Sequence, residues 1–445
     1  MIITERKLPI TPLEARNILQ MHTDTFGIYM DLDRILEYIY DYTKRVAGNT
    51  KTLRNLSKVP DYTCTKSDQT INLLIKRFGV SEEKLNVHGK LTAGSKVLES
   101  IFKEVEGSGT PLEEFLSIYL PTRHMTTLLS YLNVYANELP VVQGTDNDGH
   151  RMVVANPQWS LQSTSRIGSA GPNIQQIART IGDIITAPKG YMLIRSDSGQ
   201  IEPRIMWSHF IPDKLMANLI TAYDDAYFAY YDYISMDRRR EDALREDFAK
   251  NFQKIEITDE VKEKRQAMKR MSLAAGYGSS LNADNGFDPE LARRYTNRIV
   301  NHPLRKAQEQ KVKDYVANGG TTFYGAFGTP VTPDETDKYK KDSNAWMGHV
   351  VRCGINNPIQ TTASELMICA LHRAHGIINS KCKNSHIGYY KHDEGCFYVD
   401  AYNGDMDFAD ELAACQSYEV EGWIPIHSEM EVGRKKWNED VARIL

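Results

Sequence analysis

The sequence predicts an α+β protein, on three observations. The first third of the chain carries segment after segment with apolar residues at helical spacing. Residues 191–197, YMLIRSD, form a compact apolar run that reads as a buried strand, and residues 386–400, HIGYYKHDEGCFYVD, read as a hairpin. Between them lies a long, charged and mainly helical region.

Taken in order, residues 1–21 are mixed in character and are expected to form a loosely held N-terminal arm. From Asp31 onward, LDRILEYIYDYTKRVAG has helical periodicity and a glycine as its cap; TKSDQTINLLIKRFG repeats the device with Ser67 or Asp68 as the start signal. Three more helical segments are expected between about Thr92 and Asn137. The pattern changes near Gln143, where GTDNDGH and ANPQWS give turns followed by short strands. After the YMLIRSD strand, which follows Pro188-Lys189-Gly190, helix is expected from about Pro203 to Ala317. Within it, MDRRREDALREDFAKNF alternates in sign and reads as a solvated face. Strands return in TTFYGAFGTPVT, a helix is expected from about Asn357 to Ile378, and the hairpin follows. No internal repeat or low-complexity linker interrupts the chain.

With 445 residues, the chain can hold about two to three domains. A composition of 41% hydrophobic and 25% charged residues is that of a soluble globular protein. No run is long enough to span a bilayer and the N-terminus lacks a signal-peptide core, so a cytoplasmic compartment is the default. Cys64, Cys353, Cys369, Cys382, Cys396 and Cys415 include no C-x-x-C pair, which indicates reduced thiols rather than zinc or disulfides. The formal net charge of −4 argues against a uniformly basic nucleic-acid binder but leaves room for a positive cleft.

Residues 261–280, VKEKRQAMKRMSLAAGYGSS, carry the richest chemistry. If they are helical, Arg265, Lys269, Leu273 and Tyr277 climb one face, two cations followed by an apolar and an aromatic group. A nucleoside triphosphate is laid out in the same order, anion to flat ring. An ordinary amphipathic helix would look the same. Asp197 ends the expected strand and Asp393, followed by Glu394, sits at the hairpin tip. Each alone is ordinary turn chemistry. Together, on adjacent strand ends, they could hold two Mg2+ ions about 3.5–4 Å apart for phosphoryl transfer, with Arg265 and Lys269 meeting the developing charge.

These segments resemble the A-family DNA polymerases. SDSGQIEPRI (196–205) resembles their motif A, RQAMKRMSLAAGYG (265–278) motif B and KHDEG (391–395) motif C; STSRIGSAGPNIQQIAR (163–179) and RCGINNPIQTTASEL (352–366) resemble two further family segments in the same order. The resemblance implies a polymerase right hand: a helical thumb (22–155), an antiparallel-sheet palm in two segments (156–207 and 346–445) and helical fingers (208–345). It implies that Asp197 and Asp393, with the Ser198 carbonyl, bind two Mg2+ ions (Mn2+ as an alternative), with Glu394 in support. Arg265 and Lys269 would meet the triphosphate, Lys269 also protonating the leaving pyrophosphate. Gln200, Glu202, Leu273 and Tyr277 would complete the nucleotide site, with Glu202 excluding a ribose 2′-hydroxyl. Arg166, Asn173, Gln175, Arg204, Arg352, Asn356, Gln360 and His392 would hold primer and template.

Several positions depart from the family pattern. Leu273 stands in place of Phe or Tyr, Gly199 in place of serine, Pro203 in place of leucine, Thr361 in place of glycine and Tyr227 in place of histidine. Together they suggest a divergent, phage-type member. Similarity to the thumb begins so early that no exonuclease domain is expected in this chain. The implied partners are primed DNA and dNTPs, with a separate exonuclease, helicase-primase or processivity factor, and no membrane. Two other readings stay open: a single-subunit RNA polymerase, which shares the three motifs, and a catalytically degenerate DNA-binding scaffold.

Overall fold

A computed structural model describes residues 2–3, 7–87, 89–276, 281–282, 286–335, 344–433 and 441–444. Helix α1 (Pro12–Thr25) opens on a capping box, in which Thr11 accepts from the Glu14 N–H and Glu14 accepts from the Thr11 N–H at 2.7 Å. About half of the expected loose arm is therefore a helix, and its Ala15 and Leu19 are buried in the main core. Strand β1 (Ile28–Asp31) leads directly into α2 (Leu32–Ser57), capped by Asp31 accepting from the Arg34 N–H at 2.8 Å. Gly48 does not end α2 as expected. The helix runs on to Lys58, which takes a left-handed φ of 57°.

Helix α3 (Ser67–Lys76) starts where expected, but from about Thr92 to Asn137 the described residues form two helices rather than three, α4 (Ser95–Val105) and α5 (Pro111–Glu138). Leu53, Tyr62, Leu74, Leu98, Phe115 and Tyr119 give these helices a core of their own. Strands β2 (Val141–Thr145) and β3 (Arg151–Ala155) form a sheet with β1, in the order β1-β3-β2. A second hairpin pairs β4 (Gln158–Leu161) with β5 (Ile167–Ala170).

The YMLIRSD run is β6 (Tyr191–Ser198). The helical region follows as α6 (Ile201–Ile205), α7 (Lys214–Tyr223), α8 (Ala226–Ser235), α9 (Arg238–Glu246), α10 (Asp259–Gly276), α11 (Pro289–Tyr295) and α12 (Pro303–Ala317). Trp207, Leu219, Tyr230, Met268, Met271 and Tyr295 form its core. A short hairpin, β7 (Phe323–Tyr324) with β8 (Pro330–Val331), precedes α13 (Asn344–Lys381), which starts earlier than expected and passes through Pro358. Gly354 lets α12 and β7 approach α13 closely: a Cβ there would stand 2.5 Å from Phe323 and 2.7 Å from Val312.

Strands β9 (His386–Lys391) and β10 (Glu394–Asp400), helix α14 (Met406–Ala413), β11 (Ser428–Gly433) and β12 (Val441–Ile444) complete the chain. The main sheet runs β9-β10-β6-β11-β12 and is antiparallel throughout. Its middle strand is β6, and every residue of β10 is buried. The apolar run recognised in the sequence is thus the axis of the sheet, with the acidic hairpin beside it.

Candidate active site

The register of β6 against β10 sets Asp197 opposite Glu394, and the Ser198 N–H donates to the Asp393 carbonyl at 3.0 Å. Residues 197 and 393 therefore meet at one end of the sheet, although almost two hundred positions separate them in the chain. Between the paired residues Lys391 and Glu394 the hairpin has only His392 and Asp393, and it turns by placing His392 at φ 58°.

The carboxyl Oδ1 of Asp197 is buried and has no hydrogen-bond partner. Burial, then the charges of Asp393 and Glu394, push the Asp197 carboxyl up to about 8. Asp393 is also raised, by burial first and by Glu202, against the lowering effect of Arg166 and Lys269. A buried, unsatisfied oxygen in a cluster of like charges fits a divalent cation held by carboxylates. Glu394 is already engaged, accepting from Arg195 Nη2 at 3.0 Å and from the Tyr389 hydroxyl at 3.3 Å, while Arg195 also pairs with Glu431. Ser198 is buried, its hydroxyl donating to the Gln416 carbonyl at 3.0 Å.

Helix α10 turns Met268 and Met271 inward and leaves Lys269 exposed, within electrostatic reach of Asp393. Arg265 bonds Asp225 through Nε at 2.8 Å and Nη2 at 2.6 Å. Leu273, 45% exposed, borders a cavity of about 450 Å³ that Glu202, Tyr227, Arg305, Asn356 and Gln360 also line. Tyr277 lies outside the described residues. Glu202 is ion-paired with Arg166, and the Asn356 amide donates to the Gly276 carbonyl, tying α13 to the end of α10. Arg352 is exposed on α13 and His392 is exposed on the hairpin tip.

Arg204 is buried, and the half-buried Gln175 and Gln200 are engaged by protein groups. Arg204, 3% exposed, donates to the carbonyls of Gly199 (3.0 Å), Pro425 (2.7 Å) and Asp224 (2.9 Å) and to the Asp224 carboxylate (2.7 Å), so it braces the chain rather than facing primer or template. Gln175 accepts from the Ser169 N–H and donates to the carbonyls of Ile167 and Tyr390, stapling β5 to β9. Gln200, with φ 54°, accepts from the Ala226 N–H at 2.6 Å and donates to Asp225 at 2.7 Å. Asn173 accepts from the Ser169 hydroxyl at 3.1 Å, in the same loop.

The sequence profile of DNA polymerase family A matches residues 35–439. The chain belongs to DNA polymerase family A. DNA polymerase I of Caldicellulosiruptor bescii is 26% identical over 262 residues, a match spanning 56% of this chain and 28% of that protein. The chain thus covers less than a third of that curated relative. The POL domain of Pol1 from M. smegmatis, solved in complex with DNA primer-template and dNTP, matches with a TM-score of 0.75 at 20% identity, over 95% of this chain and 70% of that one. That likeness shows the α+β polymerase fold.

In this member of family A two residues near the site escaped sequence reasoning. Asp225 binds both Arg265 and Gln200, and Arg195 sits under Glu394. An Asp before a helical run signals an N-cap, which would have found the first but not its second partner. Asp31, Asp146 and His150 also cluster with potential ligand atoms within 4.8 Å. Their atoms are already used: Asp31 caps α2 and meets His150 at 2.8 Å, and Asp146 accepts from the His150 N–H and the Thr186 hydroxyl. Among the described residues no helix is long and apolar enough to cross a membrane.

Proposed function

We propose that this chain is a template-directed DNA polymerase that adds dNTPs to a primer 3′ end by phosphoryl transfer with two divalent ions, Mg2+ or Mn2+ in its place. The observation that carries the reading is the meeting of Asp197 and Asp393 on adjoining strand ends, with a buried oxygen that no protein group satisfies. Asp197, Asp393 and the Ser198 carbonyl would hold the ions, and Glu394, fixed by Arg195, would steady the pair. When bound, such ions stabilise the attacking 3′-oxygen and the leaving pyrophosphate.

The protein's own groups do the rest. Arg265 and Lys269 supply fixed positive charge for the triphosphate, and Lys269 gives a proton to the departing pyrophosphate. Leu273 and Tyr277 cover sugar and base, and Glu202 occupies the space of a ribose 2′-hydroxyl. Arg166, Asn173, Arg352, Asn356, Gln360 and His392 line the path of primer and template, testing pair shape through minor-groove acceptors. Residues 22–155 act as thumb, 156–207 and 346–445 as palm and 208–345 as fingers, a division in keeping with separate cores around Tyr119 and Tyr230. We propose no proofreading site within residues 1–445, 95% of which are covered by the fold match to a POL domain.

Primer extension with Mg2+ and one dNTP at a time tests this. The expected outcome is addition only of the complementary dNTP, lost in Asp197→Ala and Asp393→Ala with duplex binding preserved. Extension by both variants at the parental rate would defeat the reading. Glu202→Ala should raise rNTP incorporation about ten-fold or more by opening space at the 2′ position; parental use of rNTPs as readily as dNTPs would instead favour an RNA polymerase.

A further inference from the structure

Asp225 does more than a helix cap requires. Its Oδ1 accepts from the N–H groups of Tyr227 at 2.9 Å and Phe228 at 2.8 Å, which is the whole of a capping role. Its Oδ2 takes Arg265 Nε at 2.8 Å, Arg265 Nη2 at 2.6 Å and Gln200 Nε2 at 2.7 Å. The Arg265 guanidinium carbon lies 5.5 Å from the ring centres of both Tyr227 and Phe228, so the cation is seated on the start of α8. Gln200 completes the link through the Ala226 N–H, and it follows Asp197 by three positions at the end of β6.

We infer that Asp225 is a positioning residue for the incoming nucleotide, holding Arg265 by one edge of its guanidinium so that the remaining N–H groups are presented to the triphosphate at a fixed distance from Asp197. The inference rests on the reading of Arg265 as a triphosphate ligand. A guanidinium presents a rigid planar fork, so a bond along the Nε–Nη2 edge orients the opposite edge as well. An unanchored arginine would have to be ordered each time a nucleotide arrived, which weakens binding. The Gln200 tie adds register: the phosphate-binding cation on α10 and the metal-binding carboxylate on β6 are fastened to the same carboxylate. A simple latch that competed with phosphate for Arg265 would have the opposite effect on affinity.

Asp225→Asn is the informative change, because its Oδ1 can still cap α8 while the amide nitrogen cannot accept from Arg265 or Gln200. The expected result is a dNTP KM raised about ten-fold, the scale of one lost charge-assisted contact, with a matching loss of inhibition by inorganic tripolyphosphate and an unchanged Tm. In an Arg265→Ala background the same substitution should add nothing, since both changes remove one unit. Gln200→Ala, which keeps both capping bonds of Asp225 Oδ1 and removes the acceptor of the Ala226 N–H, should raise KM about two- to three-fold. A parental or lowered KM in Asp225→Asn, with Arg265→Ala impaired, overturns the inference alone, as would independent effects that multiply in the double variant. A parental KM in Arg265→Ala would overturn the reading of Arg265 and the inference with it.

Discussion

Asp197 shows what a buried carboxyl proposed to bind an ion does to stability. Its carboxyl is raised from 3.8 to about 8 by burial and by neighbouring carboxylates, so the folded state holds a proton that the unfolded chain releases. The contribution to stability is therefore full below about pH 4 and is lost as pH rises through about 8. Measured in EDTA, the Tm of the parent should fall more between pH 6 and pH 8.5 than that of Asp197→Asn, and Mg2+ should raise the parent's Tm at pH 8 but not the variant's. Equal slopes with equal Mg2+ responses would show that Asp197 is not where the ion binds. Arg204 makes the complementary point. Its truncation to alanine strips donors from three carbonyls, at about 1–3 kcal/mol for each buried group left unsatisfied. We expect Arg204→Ala to lower Tm by several degrees, while the primer KM stays parental where the protein remains folded. A raised KM at parental Tm would return Arg204 to the primer site. Residue types and their order brought Asp197, Asp393 and Lys269 forward as candidates, because the chemistry proposed for them depends on identity. Burial set Arg204 apart and backbone hydrogen bonds engage Gln175, and no sequence pattern of one chain reports which arginine faces inward.

At the scale of elements, strands and turns were easier to read than helix ends. The run YMLIRSD could only be a buried strand, and the hairpin followed from two apolar segments flanking a polar turn. Gly48 and Pro358 misled, because both are local stop signals that packing overrides: α2 lies along α5, and α13 along α1, α6 and α12. The N-terminal helix was missed although Thr11, Pro12 and Glu14 carry a helix-start signal, and its docking involves histidines from distant elements. His22, 5% exposed, accepts from the Ile387 N–H at 3.4 Å and meets His375 Nδ1 at 3.0 Å, with His386 also beside it. Burial, with His375 and His386, lowers His22 from 6.5 to about 3, so it stays neutral in the folded protein. The stability it lends is full above about pH 6.5 and is lost as pH falls toward 3. Amide exchange in α1, corrected for the intrinsic pH effect, should quicken between pH 7 and pH 5, and His22→Gln, which keeps an acceptor for Ile387, should blunt that change. An α1 whose protection is the same at both pH values would rule out this account of its docking.

The whole molecule presents a problem of charge. Its formal net charge is −4, yet the proposed partner is a polyanion, so attraction must come from where cations are placed rather than from their number. Many of the basic side chains are neutralised locally: Arg34 with Glu37 and Asp183, Arg240 with Asp232, and Arg293 and Arg294 with Glu290. Around the sheet end the exposed Lys269 and the half-buried Arg166, itself paired with Glu202, both act on Asp393, beside carboxylates that bound ions would neutralise. A duplex held there through its phosphates releases counterions on binding, and log affinity then falls linearly with log salt, by about 0.9 per phosphate neutralised. A footprint of about six phosphates would weaken binding of a primed duplex roughly 10³-fold between 50 and 200 mM salt. The dNTP KM, measured with the duplex saturating, should move far less, because the proposed nucleotide site borders a cavity lined by α10 and α13 and so is less screened. A duplex affinity that barely responds to salt would mean that phosphates are not what this surface grips, and the cationic cleft inferred from an acidic chain would have to be abandoned.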